Sequence, residues 1–149
     1  MYITVGICSL GRKAILLETV KELLKQRRPF DKLLICLASE GDGDRCLLES
    51  MGAEVLISPT AGSCVQRNMI IDKSEHGILL FIDDDYYLRS DYLEELERIF
   101  ALDESVCVVT GNVLVDGAKG PGLPPEYARL VLEHSLQIEY PEMLKDCVS

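Results

Sequence analysis

The sequence predicts an α/β protein with a mostly parallel sheet lying between helical layers. Short apolar, β-branched runs alternate along the chain with runs whose apolar residues recur at helical spacing. The strand-like runs are also apolar throughout, as in parallel sheets buried on both faces, and turn-forming residues separate them. At 149 residues, with 48% apolar and 27% charged side chains, the chain has the length and balance of one globular domain.

Each element has its own justification. Tyr2-Ile-Thr-Val-Gly-Ile-Cys8 reads as a first strand. Ala14, Leu16, Leu17, Val20, Leu23 and Leu24 then recur at helical spacing, up to a stop at Pro29. The basic run Lys25-Gln26-Arg27-Arg28 fits a solvated helix end. Leu33-Leu-Ile-Cys-Leu37 is a second strand, and Glu40-Gly-Asp-Gly-Asp44 a turn-rich loop. Arg45 to Met51 forms a short helix stopped at Gly52.

Ala53-Glu-Val-Leu-Ile57 is a third strand, Pro59 to Gly62 a loop, and Val65 to Lys73 a helix. Gly77-Ile-Leu-Leu-Phe-Ile82 is the most apolar strand, followed at once by Asp83, Asp84 and Asp85. Ser90 is the expected N-cap of a helix over Asp91 to Phe100. Val106-Cys-Val-Val-Thr110 reads as a fifth strand that Gly111 to Val115 continues or pairs with. Gly117 to Pro125 is a Gly/Pro-rich loop, and Glu126 to Leu136 returns to helical periodicity. There is no internal repeat.

Composition removes several classes. Fifteen basic against twenty-five acidic residues give a net charge of -10, which argues against a nucleic-acid partner held through phosphates. No run of 18 apolar residues exists to make a transmembrane segment, and no basic, apolar leader opens the chain. Cys8, Cys36, Cys46, Cys64, Cys107 and Cys147 form no CxxC and no metal-ligand spacing. Cys8, Cys36 and Cys107 fall in strand-like runs as buried hydrophobes. A reducing cytoplasmic setting is expected, in solution or on the cytoplasmic face of a membrane.

In an open α/β sheet, ligands bind beyond the carboxyl ends of the strands, so the informative residues follow each strand. Asp83, Asp84 and Asp85 repel one another after a buried strand, and a divalent cation relieves that repulsion. Ser9-Leu-Gly-Arg-Lys13 opens a helix with small residues and cations suited to an anion. Arg67 and Asn68 sit early in the helix after the third strand, where an arginine forks onto phosphate. Ser39 and Glu40, with Asp42 and Asp44, follow the second strand and offer acceptors for a ribose or base edge. Acidic residues for a metal and cations for phosphates, all at strand ends, describe a nucleotide-diphosphate site.

These residues resemble the nucleotide-binding half of a family 2 glycosyltransferase with the GT-A fold. Ile3-Thr-Val-Gly-Ile-Cys-Ser-Leu-Gly-Arg12 is similar to the family's first strand and C-T-Y-N-R turn. Gly62-Ser-Cys-Val-Gln-Arg-Asn68 is similar to its G-x-x-x-A-R-N helix start. Leu79-Leu-Phe-Ile-Asp-Asp-Asp85 resembles its I-L-F-L-D-x-D strand, and Val106-Cys-Val-Val-Thr-Gly111 the V-x-V-V-x-G strand. The landmarks keep the family's order, dividing the chain into a nucleotide-sugar-binding core over 1–115 and the start of an acceptor-side segment over 116–149.

The resemblance implies a nucleoside-diphosphate-sugar donor, most often UDP-linked, bound with Mn²⁺ or Mg²⁺, and transfer with inversion to a glycan, lipid or protein acceptor. Asp85 then ligates the metal, and Asp83 acts through ribose or water or as a second ligand. Arg67 and Asp84 lie near the nucleotide, with Ser9, Gly11, Arg12, Ser39 and Glu40 around base and ribose. This chain departs from the pattern at Leu10-Gly11, where the family has Tyr-Asn. It departs again at Leu37-Ala-Ser-Glu40, where the family carries an acidic pair. The family's base usually lies further along than this chain extends, and Asp116 and Glu133 are candidates by residue type alone.

Two other classes share some of these features. One is a catalytically incomplete GT-A-like domain that binds a partner. The other is a haloacid-dehalogenase-type phosphotransferase, which places its aspartate pair on the first strand of its core rather than after three earlier ones.

Overall fold

The computed structural model describes residues 1–117 and 123–135. Cys147, Leu136 and the middle of the Gly/Pro-rich loop lie outside the described residues. In chain order the elements are β1 (Ile3–Ser9), α1 (Lys13–Leu23), β2 (Lys32–Leu37), a 3-10 turn (Glu40–Asp42) and α2 (Arg45–Ser50). They continue with β3 (Ala53–Ile57), α3 (Ser63–Lys73), β4 (Ile78–Asp83), α4 (Tyr92–Leu102) and α5 (Pro125–Ser135).

The four strands form one parallel sheet in the order β3-β2-β1-β4. Alternation along each strand sends successive side chains to opposite faces. Ile3, Val5 and Ile7 of β1, Leu33, Ile35 and Leu37 of β2, and Ile78 and Ile82 of β4 share one cluster. Leu16, Val20 and Leu23 of α1, Leu48 of α2 and Leu93 and Leu96 of α4 pack into it. The opposite cluster joins Leu34, Cys36, Cys8 and Phe81 to Ile70 and Met69 of α3. Each fully buried Leu or Ile here contributes about 1.5–3 kcal/mol of transfer free energy. Gly6 lets α3 approach β1, since a Cβ there would lie 2.7 Å from Ile70 Cγ2.

Successive strands add to one side of β1 and then, after α3, to the other. The chain therefore reverses its winding between β1 and β4, which makes that gap the topological switch point.

Three expectations need correction. Residues 106–115 have β-branched character but form no strand among the described residues, and Val108 is 82% exposed. Strand character is realised only with a ladder partner, and among the described residues this segment has none. Cys107 is accordingly exposed, not buried. The run Lys25 to Arg28 is not simply solvated. The first helix ends at Leu23, and Gln26 is buried, donating to Arg89 O (2.6 Å) and accepting from Leu93 N (3.1 Å). Gln26 thereby supplies the N-terminal cap expected from Ser90. The actual N-cap residue, Asp91, makes no side-chain cap and instead pairs with Arg89.

The chain divides into two compact units, residues 1–109 and 110–149. The first holds the sheet and α1–α4. In the second, Leu114, Tyr127, Leu130 and Val131 line an apolar groove beside α5.

Candidate functional site

The aspartate cluster sits at the switch point. β4 ends at Asp83, and the chain turns through Asp84 and Asp85. Alternation and the turn give the three carboxylates different surroundings. Asp84 is buried: its Oδ2 accepts from Ser9 Oγ at 2.5 Å, and its main-chain oxygen accepts from Thr19 Oγ1 at 2.7 Å. Burial pushes the Asp84 carboxyl above the ordinary aspartate range, opposed by the Ser9 hydrogen bond and by Arg12. The Asp83 and Asp85 side chains are 67% and 51% exposed and face outward on either side of it.

Two guanidiniums flank the cluster. Arg12 Nη1 lies 3.1 Å from Asp84 Oδ1 and donates to Asp85 Oδ2 at 2.5 Å. Arg67 Nη2 approaches Asp83 Oδ1 at 3.5 Å from the first turns of α3. Asn68 follows it, exposed.

The loop after β1 is pinned at several points. Gly11 adopts φ +70°, open to glycine at no steric cost, and turns the chain into α1. Its N–H donates to Asp42 Oδ1 (2.9 Å), while Asp42 Oδ2 accepts from Ser39 Oγ (2.9 Å). Asp42 thus ties the loop after β2 to the loop after β1. Glu40 stays exposed beside Arg45 at 4.0 Å, and Asp44 caps α2 by accepting from Leu47 N.

The structure brings Ser9, Gly11, Arg12, Ser39, Arg67, Asp83, Asp84 and Asp85 to one rim. Within it Ser9 and Asp84 are bonded to each other and buried, so they order the rim, and the outward groups are Arg12, Arg67, Asp83 and Asp85. Asp116 and Glu133 are both exposed and belong to the second unit.

Sequence reasoning missed Gln66. Its buried amide donates to Ser9 O (3.1 Å) and Cys36 O (2.7 Å), joining the ends of β1 and β2 under the rim. The available signal was its place four residues before Ile70, on the inward stripe of α3. Thr19 escaped notice for the same reason, beside Val20 on the inward stripe of α1.

Among the described residues no group of three or more His, Cys, Asp or Glu side chains is arranged to hold a metal. A small hard cation takes one or two carboxylates and completes its shell with phosphate oxygens and water. Asp85 and Asp83 therefore fit a cation shared with a diphosphate, and not one caged by protein alone.

A family model described as glycosyl transferase family 2 matches residues 4–142. The chain belongs to that family. No curated protein sequence matches it significantly. Among solved structures, S. aureus TarS 1–349 in complex with UDP is similar with a TM-score of 0.63 and 18% identity. The match covers 78% of this chain and 39% of that one. The same TarS segment in complex with UDP-GlcNAc gives a TM-score of 0.59 at 18% identity, covering 78% and 38%. At such identity the likeness establishes the shared GT-A fold, a parallel sheet between helices. This family 2 chain spans about two-fifths of the TarS segment it matches. None of the described helices is long and apolar enough to cross a membrane.

Proposed function

We propose that this chain carries the donor site of a metal-dependent, inverting glycosyltransferase that uses a nucleoside-diphosphate sugar, UDP-linked, and an acceptor hydroxyl. The observation that supports it best is the splitting of the three aspartates. Asp84 is turned inward and anchored, while Asp83 and Asp85 stand open at the switch point between Arg12 and Arg67. Family membership and the UDP and UDP-GlcNAc complexes of TarS support the donor class.

In this reading Asp85 holds Mn²⁺ or Mg²⁺, with Asp83 as a second ligand or a ribose contact. Such a cation supplies charge neutralisation on the leaving diphosphate. Arg67 and Arg12 engage phosphate oxygens, for which a planar guanidinium is suited. Gly11 and Ser39, held in place by Asp42, shape the nucleoside end, with Glu40 at its edge. Ser9 and Asp84 fix where Asp85 points. The acceptor's proton goes to a carboxylate base; Asp116 and Glu133 are candidates by residue type alone.

A thermal-shift panel on chelator-stripped protein tests the reading. UDP, GDP, dTDP and CDP are each added with and without Mn²⁺. A ligand that binds only the folded state at a hundred times its dissociation constant stabilises it by about 2.7 kcal/mol. A shift with UDP that requires Mn²⁺ and disappears in Asp85→Asn is expected. Equally strong UDP binding after chelation overturns the metal-dependent mechanism.

A second reading, a binding domain without turnover, has its own support. The acidic group after β2, Asp42, is committed to Gly11 and Ser39. Sugar transfer by this chain alone excludes that reading.

A further inference from the structure

The unusual residue at the rim is Arg12, whose single Nη1 bridges two of the three aspartates. It is half exposed, on a loop held independently through Ser9, Gly11 and Asp42. Losing its aspartate contacts therefore need not unmake the loop. Its partner oxygen, Asp85 Oδ2, belongs to the carboxylate that the donor-site reading assigns to the cation. Two positive charges cannot share that oxygen without repulsion at close range. Formally, three carboxylates against two guanidiniums leave one net negative charge at the rim, little to attract a dication by itself. A diphosphate changes this balance, because it offers the guanidinium new oxygens to fork onto.

We propose that Arg12 is a counter-cation that competes with the metal for Asp85 and transfers to the donor's diphosphate when the metal binds. It couples the two ligands: nucleotide draws Arg12 away from Asp85, and by linkage the metal tightens nucleotide binding by the same factor. Arg12 acts here as a donor-binding residue, and the inference rests on the donor-site reading above.

The test measures Mn²⁺ affinity by the electron paramagnetic resonance signal of the free ion, with and without UDP. In the wild-type protein UDP tightens Mn²⁺ binding. Arg12→Gln, at an exposed site, binds Mn²⁺ about tenfold tighter than wild type without UDP, within the usual range of coupling factors, and UDP adds less. Lys25→Gln removes the same charge away from the rim, where it pairs with Glu22 at 2.7 Å, and leaves Mn²⁺ affinity within about twofold. Unchanged or weaker Mn²⁺ binding in Arg12→Gln overturns the counter-cation role even if wild type binds Mn²⁺ and UDP together. An equal gain in Lys25→Gln overturns it too, by reducing the effect to general charge. If wild type shows no UDP enhancement of Mn²⁺ binding, the inference falls without recourse to any variant. If wild type binds neither, the donor-site reading falls with it.

Discussion

The two ends of the sheet carry the same chemistry, an arginine between two carboxylates, and use it differently. At the amino ends of the strands Arg28 pairs with Asp31 (2.8 Å) and Glu97 (3.2 Å) and also donates to the main-chain oxygens of Met1 and Pro29. Asp31 accepts from Ile3 N, and Glu97 from the chain's terminal amine. Every charge there closes on backbone that must stay where it is. At the carboxyl ends the Arg12 side chain pairs, among the described residues, with the carboxylates of Asp84 and Asp85, and it is 48% exposed against 20% for Arg28. The lower cluster is a clasp, and the upper one is, in the donor-site reading, a socket. What distinguishes them is attachment to the main chain, not charge.

The sharpest contrast comes from breaking the lower end. Gly77 adopts φ +141°, and a Cβ there would stand 2.3 Å from Tyr2 O, which accepts from Ile78 N. Gly77→Ala must distort the start of both β1 and β4, and its expected cost is about 3 kcal/mol from backbone strain and clash. Urea unfolding measures it. Below its own transition the variant should still bind UDP with Mn²⁺ as wild type does, since the socket lies at the other end of these strands.

The upper end should separate stability from binding. Asp84→Ala leaves the buried Ser9 hydroxyl unpartnered and strips Arg12 of one contact, for an expected loss of about 2 kcal/mol. Asp85→Asn removes an exposed charge and should alter stability by no more than about 0.5 kcal/mol. Its effect falls on ligand instead, weakening Mn²⁺-dependent UDP binding by at least about tenfold. Chemical denaturation beside calorimetric titration of both variants settles the division. If Asp85→Asn proves the more destabilising, the upper cluster is a clasp as well.

This division was only half legible in the sequence. The four strands and α1–α4 follow from local pattern, because continuous apolar runs and helical apolar spacing are written in consecutive residues. The rim was found from its position after each strand, and the aspartate run from its abruptness after Ile78 to Ile82. Which of the three carboxylates turns inward depends on Ser9 and Thr19, 75 and 65 residues away, and no local pattern carries that. Residues 106–115 fail in the opposite way. Their β-branched composition is local, but a strand exists only where a second one pairs with it. Gln26 is a buried polar residue past the end of α1 and Gln66 one on the inward stripe of α3, and each answers a main-chain group of a distant element.

Gln66 gives an intermediate test. Gln66→Leu keeps the volume and removes the donor to Ser9 O and Cys36 O, for an expected loss of about 1–2 kcal/mol. Because Ser9 also orients Asp84, UDP affinity should fall modestly even where the protein is fully folded. A loss of stability with affinity intact would mean that the floor of the socket does not position its walls.

The smallest effect is the response of the clasp to acid. The hydrogen bond from Ile3 N, then Arg28, holds the Asp31 carboxyl below its usual range, and the terminal amine, then Arg28, does so for Glu97. A carboxyl depressed in the folded state stabilises at pH above its unfolded value, near 4. That contribution disappears as pH falls through the lower, folded value. Both groups are substantially exposed, so solvent and salt screen most of the interaction and the slope is shallow. Unfolding free energies followed from pH 5 downward should decline less steeply in Asp31→Asn than in wild type, and the difference should shrink at high salt. An identical slope in the two proteins would mean that Ile3 N–H and Arg28 find equal partners in water, and that the clasp holds through its backbone contacts alone.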